Sequence, residues 1–227
     1  MTLPRFQPAS DRSLLVYLGE HISLETHHQV RKLLHLLESQ PIPGVSNLHP
    51  AYCSILLDFD PLTLTHPELE ATLSRYLHRM PHTPLPAPRE LEIPTCYGGE
   101  FGSDLAEVAK LQGLSPSQVI ELHSSVTYTV YFLGFVPGFA YLGELPEALA
   151  TPRLATPRRS TPIGSVAIAD RQTAIYPLAT PGGWRLIGRT PIQMFRTDRT
   201  NMSLLNTGDR VRFTPISPER FAALQQP

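Results

Sequence analysis

The sequence predicts an α+β protein of two regions: a small N-terminal α/β sheet domain and a C-terminal region of short strands that form a sandwich or a closed barrel. Twelve of the fourteen glycines lie at or after Gly98, whereas eight of the nine histidines precede it, so the two regions differ in composition. Four prolines fall within residues 81–88, which favours an extended connector between them. We therefore predict domains at residues 1–88 and 89–227.

The N-terminal region is predicted to contain two strands and two helices. Apolar runs at 13–18 and 52–59 have the length and composition of strands. A helix follows the first strand, with Ser23 as its N-cap and with apolar residues at helical spacing, namely Val30, Leu33, Leu34 and Leu37. A second apolar stripe follows Pro67, a residue favoured in the first turn of a helix, and comprises Leu69, Leu73, Tyr76, Leu77 and Met80. This order predicts a sheet packed on helices.

The C-terminal region is predicted to begin with a strand at 91–95 and two short helices. Ser115 and Gln118 form a capping box, with Pro116 at the first helical position, and this box opens the helix that carries His123. Later runs rich in Val, Ile, Tyr, Phe and Thr predict strands at 165–169, 173–178, 184–188, 192–196 and 210–214. Short strands at this spacing favour a sandwich or a closed barrel.

A stretch of twenty uncharged residues, 124–143, has the length of a membrane span. The stretch nevertheless contains Pro137 and three glycines. Apolar residues alternate through its first half, at Val126, Tyr128, Val130 and Phe132. This alternation predicts a buried strand that runs into a structured turn.

Composition and missing motifs argue against several classes of protein. The net charge is -1, the pI is near 6.8 and no basic run is present, so we expect neither nucleic acid nor a membrane surface as partner. The N-terminus lacks the order of a signal peptide, so we expect a cytoplasmic protein. No phosphate loop, dinucleotide-binding glycine motif, zinc-protease motif or nucleophile elbow occurs. Cys53 and Cys96 are predicted to be buried thiols, and no metal site is predicted.

Polar residues suited to a ligand site concentrate between residues 123 and 190. His123 has the chemistry of an acid, a base or a donor, although a lone histidine is more often a hydrogen-bonded structural residue. Arg153 and Arg158 lie among prolines, either as anion-binding groups or in a solvated loop. Donors and acceptors follow at Gln172, Thr173 and Tyr176, in a segment that is also typical of a strand and a tight turn. Their concentration favours a site for a polar ligand.

Several segments resemble a known family in their order and spacing. They are IPTCYGGEFGSDL, LHSSVTYTVYFLGFVPGFAYLG, PRLATPR, PIGSVAIADRQTAIYPLATPGGW, IGRTP and GDRVRF. The family is the KipI type, which includes the B subunit of bacterial 5-oxoprolinase and was formerly described as allophanate hydrolase subunit 1. The resemblance spans about residues 93–214 and continues more weakly before them. It implies a small N-terminal α/β domain and a C-terminal cyclophilin-like β-barrel.

The resemblance also implies an activity and roles for particular residues. The family opens 5-oxo-L-proline to L-glutamate with ATP hydrolysis, together with a KipA-type C subunit and a LamB/YcsF-type A subunit. ATP with Mg²⁺ is then the expected cofactor of the whole complex, and this chain alone is expected to be inactive. By matching position, His123 would transfer a proton or donate, and Gln172 and Thr173 would contact the amide. Anion contacts are expected from Arg153 and Arg158, with Tyr176 and Arg189 nearby.

Two alternative functions stay open at this point. Family members are also described as inhibitors of a sensor histidine kinase, in which case the chain would be a binding protein without chemistry of its own. An accessory subunit of a urea-carboxylase-like enzyme would instead need a biotin-dependent partner. The chain departs from the family at Asp170 and Ala174, where glycine is common, and a Cβ restricts both the backbone and the neighbouring space. Cys53 likewise stands where the family commonly has a basic or polar residue.

Overall fold

The computed structural model describes residues 4–225 and divides into two compact units, with the division between Ala87 and Pro88. This division lies one residue before the predicted domain boundary. Within the described residues the chain forms thirteen strands and five α-helices, and the predicted α+β fold class is confirmed. None of these helices is both long and apolar enough to cross a membrane.

The N-terminal unit is a four-stranded antiparallel sheet with two helices. Its strands are β1 (Arg5–Ser10), β2 (Ser13–Tyr17), β3 (Val45–Pro50) and β4 (Ser54–Phe59), paired in the order β1-β2-β4-β3. Helices α1 (Leu24–Ser39) and α2 (His66–Arg79) share one apolar core with the sheet. The predicted strands and helices are confirmed, as is Ser23, whose side chain accepts the Thr26 N–H. Strands β1 and β3 were not predicted, because both are largely polar and exposed.

The C-terminal unit is built on a closed barrel. In chain order its strands are β5 (Glu90–Tyr97), β6 (Thr127–Leu133), β7 (Ala140–Gly143), β8 (Arg158–Thr161), β9 (Ser165–Ala169), β10 (Gln172–Ile175), β11 (Thr180–Gly182), β12 (Arg185–Arg189) and β13 (Arg210–Pro215). Seven of them close in the order β10-β7-β6-β13-β5-β12-β9, while β8 and β11 form a separate pair. Closure leaves the barrel without an unpaired edge.

Three helices accompany the barrel: α3 (Leu105–Gln112), α4 (Pro116–Ser125) and α5 (Pro218–Gln225). The predicted capping box of α4 is confirmed, because the Ser115 hydroxyl accepts the Gln118 N–H at 3.2 Å and the Gln118 side chain accepts the Ser115 N–H at 2.8 Å. Helix α5 was not predicted. The predicted strand at 192–196 is wrong: this segment is irregular apart from one bridge between Phe195 and Ser203. The closed barrel offers it no free edge to pair with.

Alternate residues of the barrel strands enter two different apolar clusters. All seven barrel strands contribute to the larger cluster, which is therefore the barrel interior and includes Val166, Ile168 and Ile175. A smaller cluster lies on the outer side of β9, β10 and β12 and contains Phe139, Ala167, Ala169, Ala174, Tyr176, Trp184 and Leu186. The uncharged stretch at 124–143 contains the end of α4, then β6, a turn and β7. The predicted strand and turn are confirmed, whereas β7 was not predicted. Its turn leaves Phe135 exposed with φ +70°.

The β9–β10 turn explains one departure from the family pattern. Ala169 pairs with Gln172, so Asp170 and Arg171 form the turn, and Asp170 has φ +50°. Glycine adopts this left-handed conformation without the clash of a Cβ, and aspartate tolerates it better than most residues.

We predict that the Asp170→Gly variant is more stable than the Asp170→Ala variant by about 1 kcal/mol. A Cβ in the left-handed region costs about 1–2 kcal/mol, and the greater flexibility of glycine in the unfolded chain offsets part of this difference. Both variants lose the carboxylate, so the exposed contact with Arg153 cancels in the comparison. Urea denaturation measures the difference, and an alanine variant at least as stable as the glycine variant would contradict the turn geometry.

Candidate functional site

His123 lies in the last turn of α4 and is fully buried. Its ring packs against Tyr128 and Phe213, with centroid separations of 5.4 Å and 4.5 Å. The Tyr97 hydroxyl lies 2.8 Å from Nδ1, and Nε2 lies 2.9 Å from Thr173 Oγ1. Thr173 Oγ1 lies 3.1 Å from the Ala167 carbonyl oxygen. We call this series of contacts, from Tyr97 through His123 and Thr173 to Ala167, the barrel hydrogen-bond chain.

The Ala167 carbonyl, at the end of the barrel hydrogen-bond chain, decides which atoms donate at Thr173 and at His123 Nε2. A carbonyl oxygen only accepts, so the Thr173 hydroxyl donates its one proton to Ala167. Thr173 Oγ1 then accepts from His123 Nε2–H. Burial lowers the pKa of His123 from 6.5 to about 3, so the imidazole is neutral and its one proton is on Nε2. Nδ1 therefore accepts from the Tyr97 O–H, whose pKa burial raises.

Strand β10 separates the residues that were predicted to contact one amide. Thr173 is fully buried on the inner face and bonds His123. Neighbouring residues of a strand point to opposite faces, so Gln172 follows Ala174 and Tyr176 to the outer face. One ligand on the outer face can contact Gln172 but not Thr173. The catalytic role predicted for His123 stays a prediction, and its present contacts tie α4 to β5 and β10.

Four aromatic side chains on the outer side of the barrel form what we call the aromatic face: Phe139, Tyr141, Tyr176 and Trp184. The Phe139 ring meets the other three edge to face, with centroids 4.9 Å, 5.2 Å and 5.8 Å away. Burial raises the pKa values of Tyr141 and Tyr176, and the charge of Arg153 acts in the opposite direction on both. Phe139, Tyr176 and Trp184 are buried, so the half-buried Tyr141 supplies the accessible ring and hydroxyl of the aromatic face.

Arg153 is an accessible cation beside this surface. Its guanidinium carbon lies 5.8 Å from the Trp184 ring centroid, and its side chain is 60% exposed. The nearest acid, Asp170, is equally open to solvent at 67% exposure, and the Arg153 Nε lies 3.8 Å from its carboxylate. Exposed pairs of this kind are weak, so Arg153 remains available to an anionic ligand.

Arg158, by contrast, is committed to its own chain. Its Nη2 lies 2.5 Å and 2.6 Å from the two carboxylate oxygens of Asp104, and its Nη1 donates to the Trp184 carbonyl at 3.2 Å. Asp104 is buried and also accepts the Leu186 N–H at 2.6 Å. The pair joins the start of α3 to β8 and β12. Binding of an anion by Arg158, as predicted from the sequence, would have to displace this partner.

Arg189 lies apart from the aromatic face. Its Nε donates to the Ile163 carbonyl at 2.7 Å, and it borders a cavity of about 700 Å³ that none of the other predicted site residues lines. Among residues 4–225 no group of three or more His, Cys, Asp or Glu side chains is placed to hold a metal ion. Both cysteines are free thiols, with Cys96 buried and Cys53 only half-buried.

Sequence reasoning missed Tyr97, Asp104 and Tyr141. Tyr97 and Tyr141 look like ordinary strand residues in the sequence, and their contacts involve residues distant along the chain. Asp104 stands at the N-cap of α3, a position that Asp often occupies for local reasons, so nothing in the sequence indicated its bond with Arg158.

Comparison with known proteins connects these features to a family. The model for the carboxyltransferase domain, subdomain C and D, matches residues 4–205. The 5-oxoprolinase B subunit of Bacillus subtilis (strain 168) is 38% identical over 232 aligned positions, which cover 98% of this chain and 97% of that protein. The chain belongs to the carboxyltransferase domain C and D family. The resemblance to the B subunit of 5-oxoprolinase that its sequence segments indicated is confirmed.

Other proteins are similar to this chain over different lengths. The 5-oxoprolinase B subunit of Escherichia coli O157:H7 is 56% identical over 130 positions, 57% of this chain and 60% of that protein. The crystal structure of TTHA0988 has a TM-score of 0.80 at 39% identity and matches 91% of this chain, which spans 40% of that longer chain. Urea amidolyase of Saccharomyces cerevisiae is more distant, at 25% identity over 94% of this chain and 13% of that protein. This distance does not favour the urea-carboxylase alternative.

The shifted pKa of His123 predicts a pH dependence of stability. The folded pKa of about 3 lies below the ordinary value of 6.5, so the unfolded chain binds the proton more readily. The stability that depends on neutral His123 is fully present above pH 6.5 and is lost as the pH falls towards 3, by up to about 1.4 kcal/mol per pH unit. We expect His123→Gln to remove this part of the slope.

Urea denaturation of both proteins at a series of pH values from 7 to about 4 tests this, since every other histidine is common to both. Equal slopes in wild type and variant would show that His123 titrates normally in the folded protein.

Proposed function

We propose that this chain is the B subunit of an ATP-dependent 5-oxoprolinase, which opens 5-oxo-L-proline to L-glutamate. The observation that carries the proposal is the 38% identity with the 5-oxoprolinase B subunit of Bacillus subtilis (strain 168), because it extends over nearly the whole length of both chains. The 56% identity with the Escherichia coli O157:H7 protein over a shorter region supports it.

The proposed reaction hydrolyses a stable five-membered lactam. ATP supplies a phosphoryl group to the lactam oxygen and leaves as ADP, and this activates the ring carbon towards water. Water then adds to that carbon, the bond from carbon to nitrogen breaks and the nitrogen takes up a proton, which leaves an acyl phosphate. A second water hydrolyses this acyl phosphate to the carboxylate of L-glutamate and inorganic phosphate. Such a reaction needs donors for the lactam and cations for the developing negative charge.

The aromatic face and its neighbours fit the substrate of this reaction. The methylene groups of 5-oxoproline suit the half-buried ring of Tyr141, which packs edge to face on the buried Trp184. Its carboxylate suits the exposed guanidinium of Arg153, and its lactam N–H and C=O suit the side-chain amide of Gln172 on the same outer face. Tyr176 is buried behind these groups and supports the ring surface. We propose this face as the substrate-binding part of the chain.

We further propose that the complete site forms only with partner subunits, of the KipA and LamB/YcsF types, in the cytoplasm. The chain has no phosphate loop, and among residues 4–225 no group of three or more His, Cys, Asp or Glu side chains could hold a metal ion; both features support a site that partner subunits complete. We therefore expect the chain to be inactive alone and the complex to be active.

Co-expression with partners of the KipA and LamB/YcsF types tests the function. We expect L-glutamate to form from 5-oxoproline only when ATP and this chain are both present. We also expect Arg153→Met to raise KM for 5-oxoproline by about tenfold or more, because a bond between a charged side chain and the substrate carboxylate is lost. Arg171→Met is the matched control, since Arg171 is also 60% exposed and also pairs with a carboxylate, that of Glu144.

A complex that assembles but forms no glutamate would contradict the proposal and leave the kinase inhibitor as the leading alternative. Equal changes of KM in the Arg153 and Arg171 variants would contradict only the assignment of the aromatic face.

A further inference from the structure

A second polar region lies away from the aromatic face. It is the cavity of about 700 Å³ beside Arg189, a volume within the range of small-molecule sites. Three of its lining residues are arginines and none is acidic; the lining comprises Ile163, Arg189, Thr190, Pro191, Ile192, Gln193, Arg196, Arg199, Leu224 and Gln225. We call it the arginine cavity. Only Arg189 of its arginines was singled out from the sequence.

The positive charge of the arginine cavity is incompletely compensated. Arg196 bonds Asp198 in two places, at 2.9 Å and 2.5 Å. The pKa of Asp198 is lowered first by this bond with Arg196 and only last by the charge of Arg199. Within residues 4–225 neither Arg189 nor Arg199 has a carboxylate within ion-pair distance. Three guanidinium groups thus share one nearby carboxylate, which favours an anion in the cavity.

The wall that carries Arg189 is fixed by the backbone. Gly164 has φ +81°, and a Cβ there would lie 2.3 Å from the Thr190 carbonyl oxygen. The Thr190 N–H donates to the Gly164 carbonyl at 2.9 Å, and the Ile192 N–H donates to Thr190 Oγ1 at 3.2 Å. Arg189 itself is held through its Nε by the Ile163 carbonyl, which orients its two terminal amino groups. The cation is therefore presented by a preformed surface rather than by a free loop.

We propose that the arginine cavity binds the phosphate chain of a nucleoside triphosphate. The choice of an oxyanion rests on Arg189, Arg196 and Arg199, and the choice of a nucleotide rests on the proposed function, which consumes ATP. One guanidinium group binds a phosphate through two parallel N–H···O hydrogen bonds, and it stays charged at neutral pH. The cavity shares no lining residue with the aromatic face. Transfer of the terminal phosphoryl group to the lactam therefore requires the assembled complex to bring the two ligands together, in agreement with a chain that is inactive alone.

The test measures binding rather than turnover. Inorganic triphosphate, ATP and L-glutamate are titrated separately, by calorimetry, into the full chain and into the assembled complex. We expect triphosphate and ATP to bind and L-glutamate not to compete with them. Arg189→Gln and Arg199→Gln should each weaken triphosphate binding by about tenfold, the effect of one lost bond to a charged group. Arg212→Gln is the control, since Arg212 is an exposed barrel arginine outside the cavity lining.

Each result decides the proposal. Absence of triphosphate binding in both the chain and the complex would overturn it, as would an equal loss in the Arg212 variant, which indicates general charge attraction. Competition by L-glutamate would make the cavity a carboxylate site instead. The Arg199→Gln variant is not expected to disturb folding, because Arg199 makes no hydrogen bond to another residue within the part of the chain that the structure describes. A loss of triphosphate binding in this variant therefore reports the lost charge. Glutamate formation by a complex whose cavity binds no triphosphate would overturn this inference alone and leave the proposed function standing.

Discussion

The hydrogen bond between His123 and Thr173 is the constraint on which the arrangement of the C-terminal unit depends. A fully buried imidazole is tolerated only when both nitrogens are bonded, and here Tyr97 and Thr173 supply the two partners. Because Thr173 must donate to the Ala167 carbonyl, the ring can hold only one tautomer and one orientation. The end of α4 is thereby fixed to β5 and β10, and the chain that leaves it enters β6 directly. These contacts occupy the side chains of His123 and Thr173, which is why we propose the ligand contacts on the outer surface.

The arginines of the barrel illustrate how burial decides what a charge can do. Arg158 is held by the buried carboxylate of Asp104 and serves to join secondary-structure elements. Arg153 is exposed beside Trp184 and keeps its charge available. Arg189 and Arg199 face a cavity whose lining contains no acid. The same side chain is thus a structural tie in one place and a candidate anion contact in two others, and only the partner and the exposure distinguish these uses.

Local signals in the sequence were sufficient for much of the fold. The caps at Ser23 and Ser115 and the alternation through Tyr128 and Val130 predicted elements that the structure contains, since each depends on residues close together in the chain. The strand at 192–196 failed because a closed barrel leaves it no partner, a property of the whole sheet. The site was harder to predict for the same reason: Gln172 and Thr173 are neighbours in sequence but lie on opposite faces, and the Arg158–Asp104 pair spans 54 positions.

The protonation state of His123 tests the barrel hydrogen-bond chain most directly, because that chain needs a neutral imidazole with both ring nitrogens hydrogen-bonded. Nitrogen NMR of ¹⁵N-histidine-labelled protein reports which ring nitrogen carries the proton and where the ring titrates, with His123→Gln to assign the signal. We expect a proton on Nε2, an unprotonated Nδ1, and no titration until the pH approaches the lowered pKa of about 3. A proton on Nδ1, or a titration midpoint near the ordinary value of 6.5, would contradict the barrel hydrogen-bond chain.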